Sequence, residues 1–281
     1  MPDPIHVFRH EAMATFFEVR IAGGERAYAE QASQAAFAIV DRTERLLSRY
    51  DESSEISQIN RLHPGEVVRV CPDVFECLEQ ALSLQLMTGG AFDPAFGSPA
   101  GADRGRLLMD RDGLLVGLEG GRLSLDLGAI GKGYALDLAA AELRAWDLSR
   151  VLLVAGGSSL LALDGPGEGI PGWEVSLGGV TPPRSLALEN RALGSSGTAV
   201  KGEHIVNPGT GEPARNGRRT WAMAPSAAAA DALSTAWMIL APDEIGSICS
   251  ANPGIGAIVQ TGGGSDLLTA GCFSGILNPR K

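Results

Sequence analysis

Asp231 and Thr235 stand four residues apart in Ala230-Asp231-Ala232-Leu233-Ser234-Thr235-Ala236. At that spacing on a helix a carboxylate and a hydroxyl share one face. Together they form a hard-oxygen pair suited to magnesium, which completes its shell with water and phosphate. The same pattern has a plainer use, in which Asp231 complements the helix dipole and Thr235 bonds back to a carbonyl. A second feature is Asp126-Leu127-Gly128-Ala129-Ile130-Gly131-Lys132-Gly133-Tyr134-Ala135-Leu136-Asp137. Here a strand runs into a glycine-rich turn and then a helix, so the backbone can approach a ligand closely and the helix start offers free N–H donors to anions. Lys132 adds a positive charge at that mouth. Only two residues separate Gly128 from Gly131, and Gly133 follows Lys132, so this is neither a P-loop nor a dinucleotide fingerprint. A tight turn with a solvated lysine is the alternative.

The third feature is His204-Ile205-Val206-Asn207-Pro208-Gly209-Thr210-Gly211, a turn with His204 just before it. A lone histidine is more often structural than catalytic, and His6, His10 and His63 have no neighbours that suggest a role. Two polar stretches, Leu47–Asn60 and Gly89–Gly97, read as loops that name no ligand by themselves. A Gly-x-Ser-x-Gly elbow and zinc-ligand spacing are both absent.

These residues need elements to hold them. Ala14–Ile21 reads as a strand ending at Gly23-Gly24, and Glu25 to about Arg49 carries apolar residues at helical spacing. Pro72 opens a helix that runs through Met87 and closes at Thr88-Gly89-Gly90. Leu114–Leu118 and Arg122–Leu127 read as a hairpin through Glu119-Gly120-Gly121. A third helix is expected from about Gly133 to Trp146, and a fourth over Ala228–Leu240, closed by Ala241-Pro242. Val151–Ala155 is a continuous apolar run and reads as a buried strand. Further strands are expected at Trp173–Leu177, Leu186–Leu193, Thr220–Ala224, Gly256–Gln260 and Leu267–Ala270. Asp164–Pro171 reads as a loop. Hairpins mixed with helices favour an α+β or mixed α/β fold over a doubly wound parallel sheet.

At 281 residues, the chain fits one large domain, residues 1–281, or two intimately packed halves. Its 44% hydrophobic and 20% charged content is ordinary for a globular protein. A net charge of -10 argues against nucleic-acid or anionic-membrane partners, which reward clustered Lys and Arg. An acidic protein handling a phosphate-rich ligand needs backbone N–H groups, helix N-termini or a bound cation. Cys71, Cys77, Cys249 and Cys272 show no metal spacing and read as reduced structural thiols. The N-terminus has no signal-peptide pattern, and no apolar run is long enough to span a bilayer, so a cytoplasmic location is expected.

Taken in order, the segments resemble the ApbE family, the FAD:protein FMN transferases formerly called thiamine biosynthesis lipoproteins. The resemblance runs from Met13-Ala14-Thr15 to at least Thr235. It takes in Leu47-Ser48-x-Tyr50, Ser54-Glu55-Ile56-Ser57-x-x-Asn60, Gly90-Ala91-Phe92-Asp93-Pro94, Asp126–Asp137, Ala155-Gly156-Gly157, Ser196-Gly197, His204–Gly211 and Ala230–Ala236. It implies an α+β architecture similar to the T-fold, FAD as the bound substrate, and Mg2+ near its diphosphate. The implied reaction moves FMN from FAD to a Ser or Thr hydroxyl of an acceptor flavoprotein domain and releases AMP; some relatives instead hydrolyse FAD to FMN and AMP. On this resemblance Asp231, Thr235 and a backbone carbonyl of the Gly128–Gly131 turn hold the metal, Lys132 adds charge, and His204 is the candidate general base. The resemblance further places Met13, Tyr50, Ser57, Asn60, Asp93, Lys132, Asp137, Gly197 and His204 around the FAD. The sequence departs from the family pattern where Gly209 replaces a usual Arg or Lys, Asn207 an Asp, Ala95 a Thr and Ser158 an Asp. Thr198-Ala199-Val200 replaces acidic and aromatic residues, and the stretch after Pro99 is shortened. A non-catalytic FAD-binding protein is therefore the alternative from a different class.

Overall fold

Ala29, Ala32, Ala36, Val40 and Leu47 recur along one stripe of the first long segment, and in the computed structural model that stripe is buried along helix α1 (Arg26–Leu47). The structure describes residues 3–180, 183–197, 205–214, 217–261, 267–273 and 278–279. Helix α2 (Glu55–Asn60) is short, and Ser54 caps it by accepting the Ser57 N–H. Helix α3 (Pro72–Met87) starts on its proline as expected. Helices α4 (Gly131–Ala145), α5 (Ala227–Ala236) and α6 (Pro242–Ala251) complete the described helices.

Strands β1 (Ile5–Ala12) and β2 (Thr15–Ala22) form a hairpin at one edge of an eight-stranded sheet. It continues through β6 (Val151–Ala155), β7 (Ser159–Ala162), β10 (Arg191–Gly197), β11 (Arg219–Ala224), β12 (Gly256–Gln260) and β13 (Leu267–Gly271), in that order. Every neighbouring pair is antiparallel. Because side chains alternate along a strand, the sheet feeds two separate cores. Phe17, Val19, Leu153, Leu161, Ala192 and Ala222 pack toward the helices. Leu152, Val154, Leu193, Trp221 and Ile258 pack instead toward a second layer, made by β8 (Trp173–Leu177), β9 (Arg184–Leu188) and β14 (Asn278–Pro279). This explains the unbroken apolar run of β6: both faces are covered, so neither side can be polar. Strands β3 (Val67–Arg69), β4 (Arg106–Asp110) and β5 (Leu115–Glu119) form a third, small sheet.

The fold is α+β, with helices packed on antiparallel sheets, as the sequence predicts. Two local expectations are corrected. Leu115–Glu119 pairs with β4 and β3 rather than with Arg122–Leu127. The latter stretch is drawn into the core, since Leu125 and Leu127 are buried and the Leu125 backbone is held by the Asn60 side chain. The expected Leu186–Leu193 strand is two strands of different sheets, separated at Asn190, whose φ of +48° lets the chain change direction.

Candidate active site

Helix α5 places Asp231 and Thr235, and three elements fix it. Ser226 caps its first turn by accepting the Ala229 N–H at 3.3 Å. Asp137, nearly two turns into α4, accepts the N–H groups of Ala227 and Ala228 at 2.7 and 2.9 Å. The sheet supports the other side, where the Thr220 hydroxyl donates to the Ser234 carbonyl at 2.6 Å. Backbones approach so closely that a β-carbon on Gly133 would overlap the Ala227 carbonyl, and one on Gly194 would overlap that of Ala230. Small residues at these crossings are a geometric requirement, not a default.

Asp231 is almost wholly buried, and its carboxylate is the node of the site. The Gly133 N–H donates to Oδ2 at 2.9 Å, and the Lys132 ammonium lies 3.2 Å from the same oxygen. The Ser159 hydroxyl donates to Oδ1. Thr235 Oγ1 lies 3.3 Å from Ser196 Oγ, which is itself 2.8 Å from Ser234 Oγ. A carboxylate offers about four acceptor sites, so three donors leave Asp231 one open position, and movement of Lys132 would free a second. No cluster of three or more His, Cys, Asp or Glu occurs among the described residues. The donor set fits a hard dication held by one carboxylate, one hydroxyl, backbone carbonyl and ligand oxygens, which is how magnesium is usually bound.

These groups open into a cleft of about 740 Å³ at the strand ends, a size ordinary for a cofactor or nucleotide site. Met13, Tyr50, Asp93, Gly128, Lys132, Gly197, Asp231 and Thr235 all line it. Asp93 lies there with its carboxylate already engaged: Arg104 donates to both oxygens at 2.8 and 2.7 Å, and Gln85 and the Ala95 N–H add to them. Three expected ligand residues are not in the cleft lining. Ser57 is buried with its hydroxyl on the Ser48 carbonyl. Asn60 spends its amide on both backbone groups of Leu125, at 3.0 and 2.6 Å. Asp137 serves α5, as described. Each of the three is bonded to backbone in this structure. Burial raises the Asp137 carboxyl to about 6, against the pull of the two N–H donors. His204 lies outside the described residues; Ile205, Val206 and Pro208, which follow it, line the cleft.

The sequence reading passed over Ser159, Arg49 and Arg219. Ser159 carries no signal, because its only distinction is a contact with a residue 72 positions away. Arg49 sits between the motif residues Ser48 and Tyr50; its guanidinium is 4.9 Å from the Tyr50 ring centroid and 3.3 Å from Asp126. Arg219 opens β11 and lines the cleft opposite Gly197.

Known proteins share this chain's sequence pattern and fold. The ApbE family model matches residues 13–105 and 100–259. The FAD:protein FMN transferase of Treponema pallidum (strain Nichols) is 26% identical over 276 residues, covering 81% of this chain and 76% of that protein. The FAD:protein FMN transferase of Klebsiella pneumoniae (strain 342) is 25% identical over 275 residues, covering 83% and 78%. The solved ApbE protein of Thermotoga maritima superposes with a TM-score of 0.81 at 24% identity, over 99% of this chain and 100% of that one. The apo flavinyl transferase ApbE of Pseudomonas stutzeri gives 0.81 at 22%, over 96% and 95%. With the family model matched over most of its length, the chain belongs to the ApbE family.

Proposed function

We propose that this protein is a transferase that moves FMN from FAD to a Ser or Thr hydroxyl of an acceptor protein, with magnesium required and AMP released. The observation that carries the reading is the convergence on one cleft of Asp231, Thr235, Lys132 and the Gly128 turn. The activity of its relatives, FAD:protein FMN transfer, supports the reading.

In the balanced reaction, the acceptor oxygen forms a bond to the FMN phosphorus and the bond from that phosphorus to the bridging oxygen breaks. AMP leaves with the bridging oxygen, and the hydroxyl proton passes to a base. Held by Asp231 and Thr235, magnesium would neutralise charge on the diphosphate. Asp231 keeps its geometry through Gly133 and Ser159, so little reorganisation is needed as charge develops. Lys132, bound to Asp231 when no dication competes, would be released toward the phosphates when one does. His204 is the proposed base, on the chemistry of imidazole near neutral pH.

Incubation with FAD, magnesium and an acceptor domain will give a covalently fluorescent acceptor and one AMP per flavin attached. AMP without labelled acceptor would replace the transferase by an FAD hydrolase, and FAD binding without AMP would replace it by a binding protein.

A further inference from the structure

The cleft lining contains three cations, Arg49, Lys132 and Arg219, and three carboxylates, Asp93, Asp126 and Asp231. Five of these six charges are committed within the protein. Asp93 is held by Arg104, Asp126 lies 3.3 Å from Arg49, and Asp231 lies 3.2 Å from Lys132. Arg219 has no carboxylate partner among the described residues. Its Nη1 donates to the Gly178 carbonyl at 3.1 Å. A guanidinium has five N–H donors, and one carbonyl leaves four of them for an oxyanion.

The setting of this guanidinium is built for it. Arg219 lies at the first position of β11, in register with Gly197 on the β10 side, which has no side chain, and with Gln260 on the β12 side. Its head group lies over the Gly178-Gly179 turn that follows β8. Gly179 has φ +75°, and a β-carbon there would overlap the guanidinium. Bare backbone on two sides therefore gives the arginine its slot. In a chain of net charge -10, a cleft-lining cation held by a neutral acceptor is a place prepared for an anion.

We propose that Arg219 binds a phosphoryl oxygen of the nucleotide that occupies the cleft. The inference rests on the FAD reading above and extends it. A diphosphate diester carries two negative charges; Lys132 reaches them only by leaving Asp231, and Gly209 offers no charge. Arg219 is the lining cation that can meet a phosphate without giving up an ion pair, and its planar fork suits phosphate.

The test measures affinities of the full-length protein for FAD, ADP and riboflavin, comparing wild type with Arg219→Leu and Arg219→Lys. Arg219→Leu will weaken FAD and ADP roughly tenfold to a hundredfold, the scale of one charge-assisted hydrogen bond. Riboflavin, which has no phosphate, will bind as before, and Arg219→Lys will recover part of the loss. Unchanged FAD and ADP affinity in Arg219→Leu would overturn the proposal, as would an equal loss for riboflavin, which marks a structural lesion. Arg219-dependent binding of ADP without any flavin binding would uphold the anion site and remove the FAD reading. Phosphate-dependent FAD binding that ignores Arg219 would do the reverse, and a wild type that binds none of the three would remove both.

Discussion

Asp231 receives three donors from two distant parts of the chain: Gly133 and Lys132 on α4, and Ser159 on β7. Partners of this kind orient a ligating carboxylate, and their loss typically costs 10–100-fold in metal affinity or activity. Ser159→Ala will therefore raise the magnesium concentration needed for half-maximal activity by about tenfold or more; a magnesium titration of AMP release checks this, and an unchanged midpoint would show that Ser159 does not orient the ligand. Asp137 makes a second residue-level prediction. Burial pushes its folded pKa up to about 6, above the ordinary carboxylate value of 3.8, so the native state holds the proton more tightly than the unfolded chain does. The stabilisation from that proton is complete below pH about 4 and is lost as pH rises through about 6. Asparagine mimics the protonated form, so the stability cost of Asp137→Asn will be larger at pH 4 than at pH 7, by roughly 1–3 kcal/mol after allowance for partial exposure. Denaturant unfolding at the two pH values measures it. A cost that grows with pH would mean that the N–H donors of α5 outweigh burial.

Helix α5 matters because it carries both proposed side-chain ligands of the metal, and its position is set by contacts with no tolerance for added atoms. Gly133→Ala would drive a methyl group into the Ala227 carbonyl, and overpacking of this kind costs about 1–3 kcal/mol. The variant will keep its far-ultraviolet circular dichroism, unfold at lower denaturant and lose magnesium-dependent turnover; full turnover would show that α5 can shift without consequence. How legible such elements were depended on where their signals lay. Pro72 announces α3, and Pro242 announces α6 in the same way, with Asp243 and Glu244 in its first turn, yet Pro242 reads equally well as the end of the preceding helix. The β5 partner was misassigned because Glu119-Gly120-Gly121 is a credible hairpin turn, and only the pull of buried Leu125 and Leu127 prevents it. The split at Asn190 likewise depends on which sheet each half joins, a long-range matter that local spacing does not encode.

For the whole molecule, the sheet divides two cores and leaves its strand ends as the rim of the cleft, so residues far apart in sequence meet there. Asp231, Thr235, Lys132 and Gly128 were legible because they lie in short motifs whose order is distinctive. Ser57, Asn60 and Asp137 belong to equally distinctive motifs, but they hold backbone in place; motif membership alone does not separate support from contact. Arg219 was invisible for the opposite reason, since it lies in no motif and gains meaning only when every other charge in the cleft is seen to be paired. The central claim is that FAD lies in this cleft with its diphosphate over Asp231 and Thr235. The most direct measurement is a crystal structure after soaking with FAD and magnesium. The expected result is a dication bound by Asp231 and Thr235 and in contact with a phosphoryl oxygen, with Lys132 drawn off the Asp231 carboxylate. FAD bound with its diphosphate away from Asp231, or Lys132 still paired with an Asp231 that holds no metal, would contradict it.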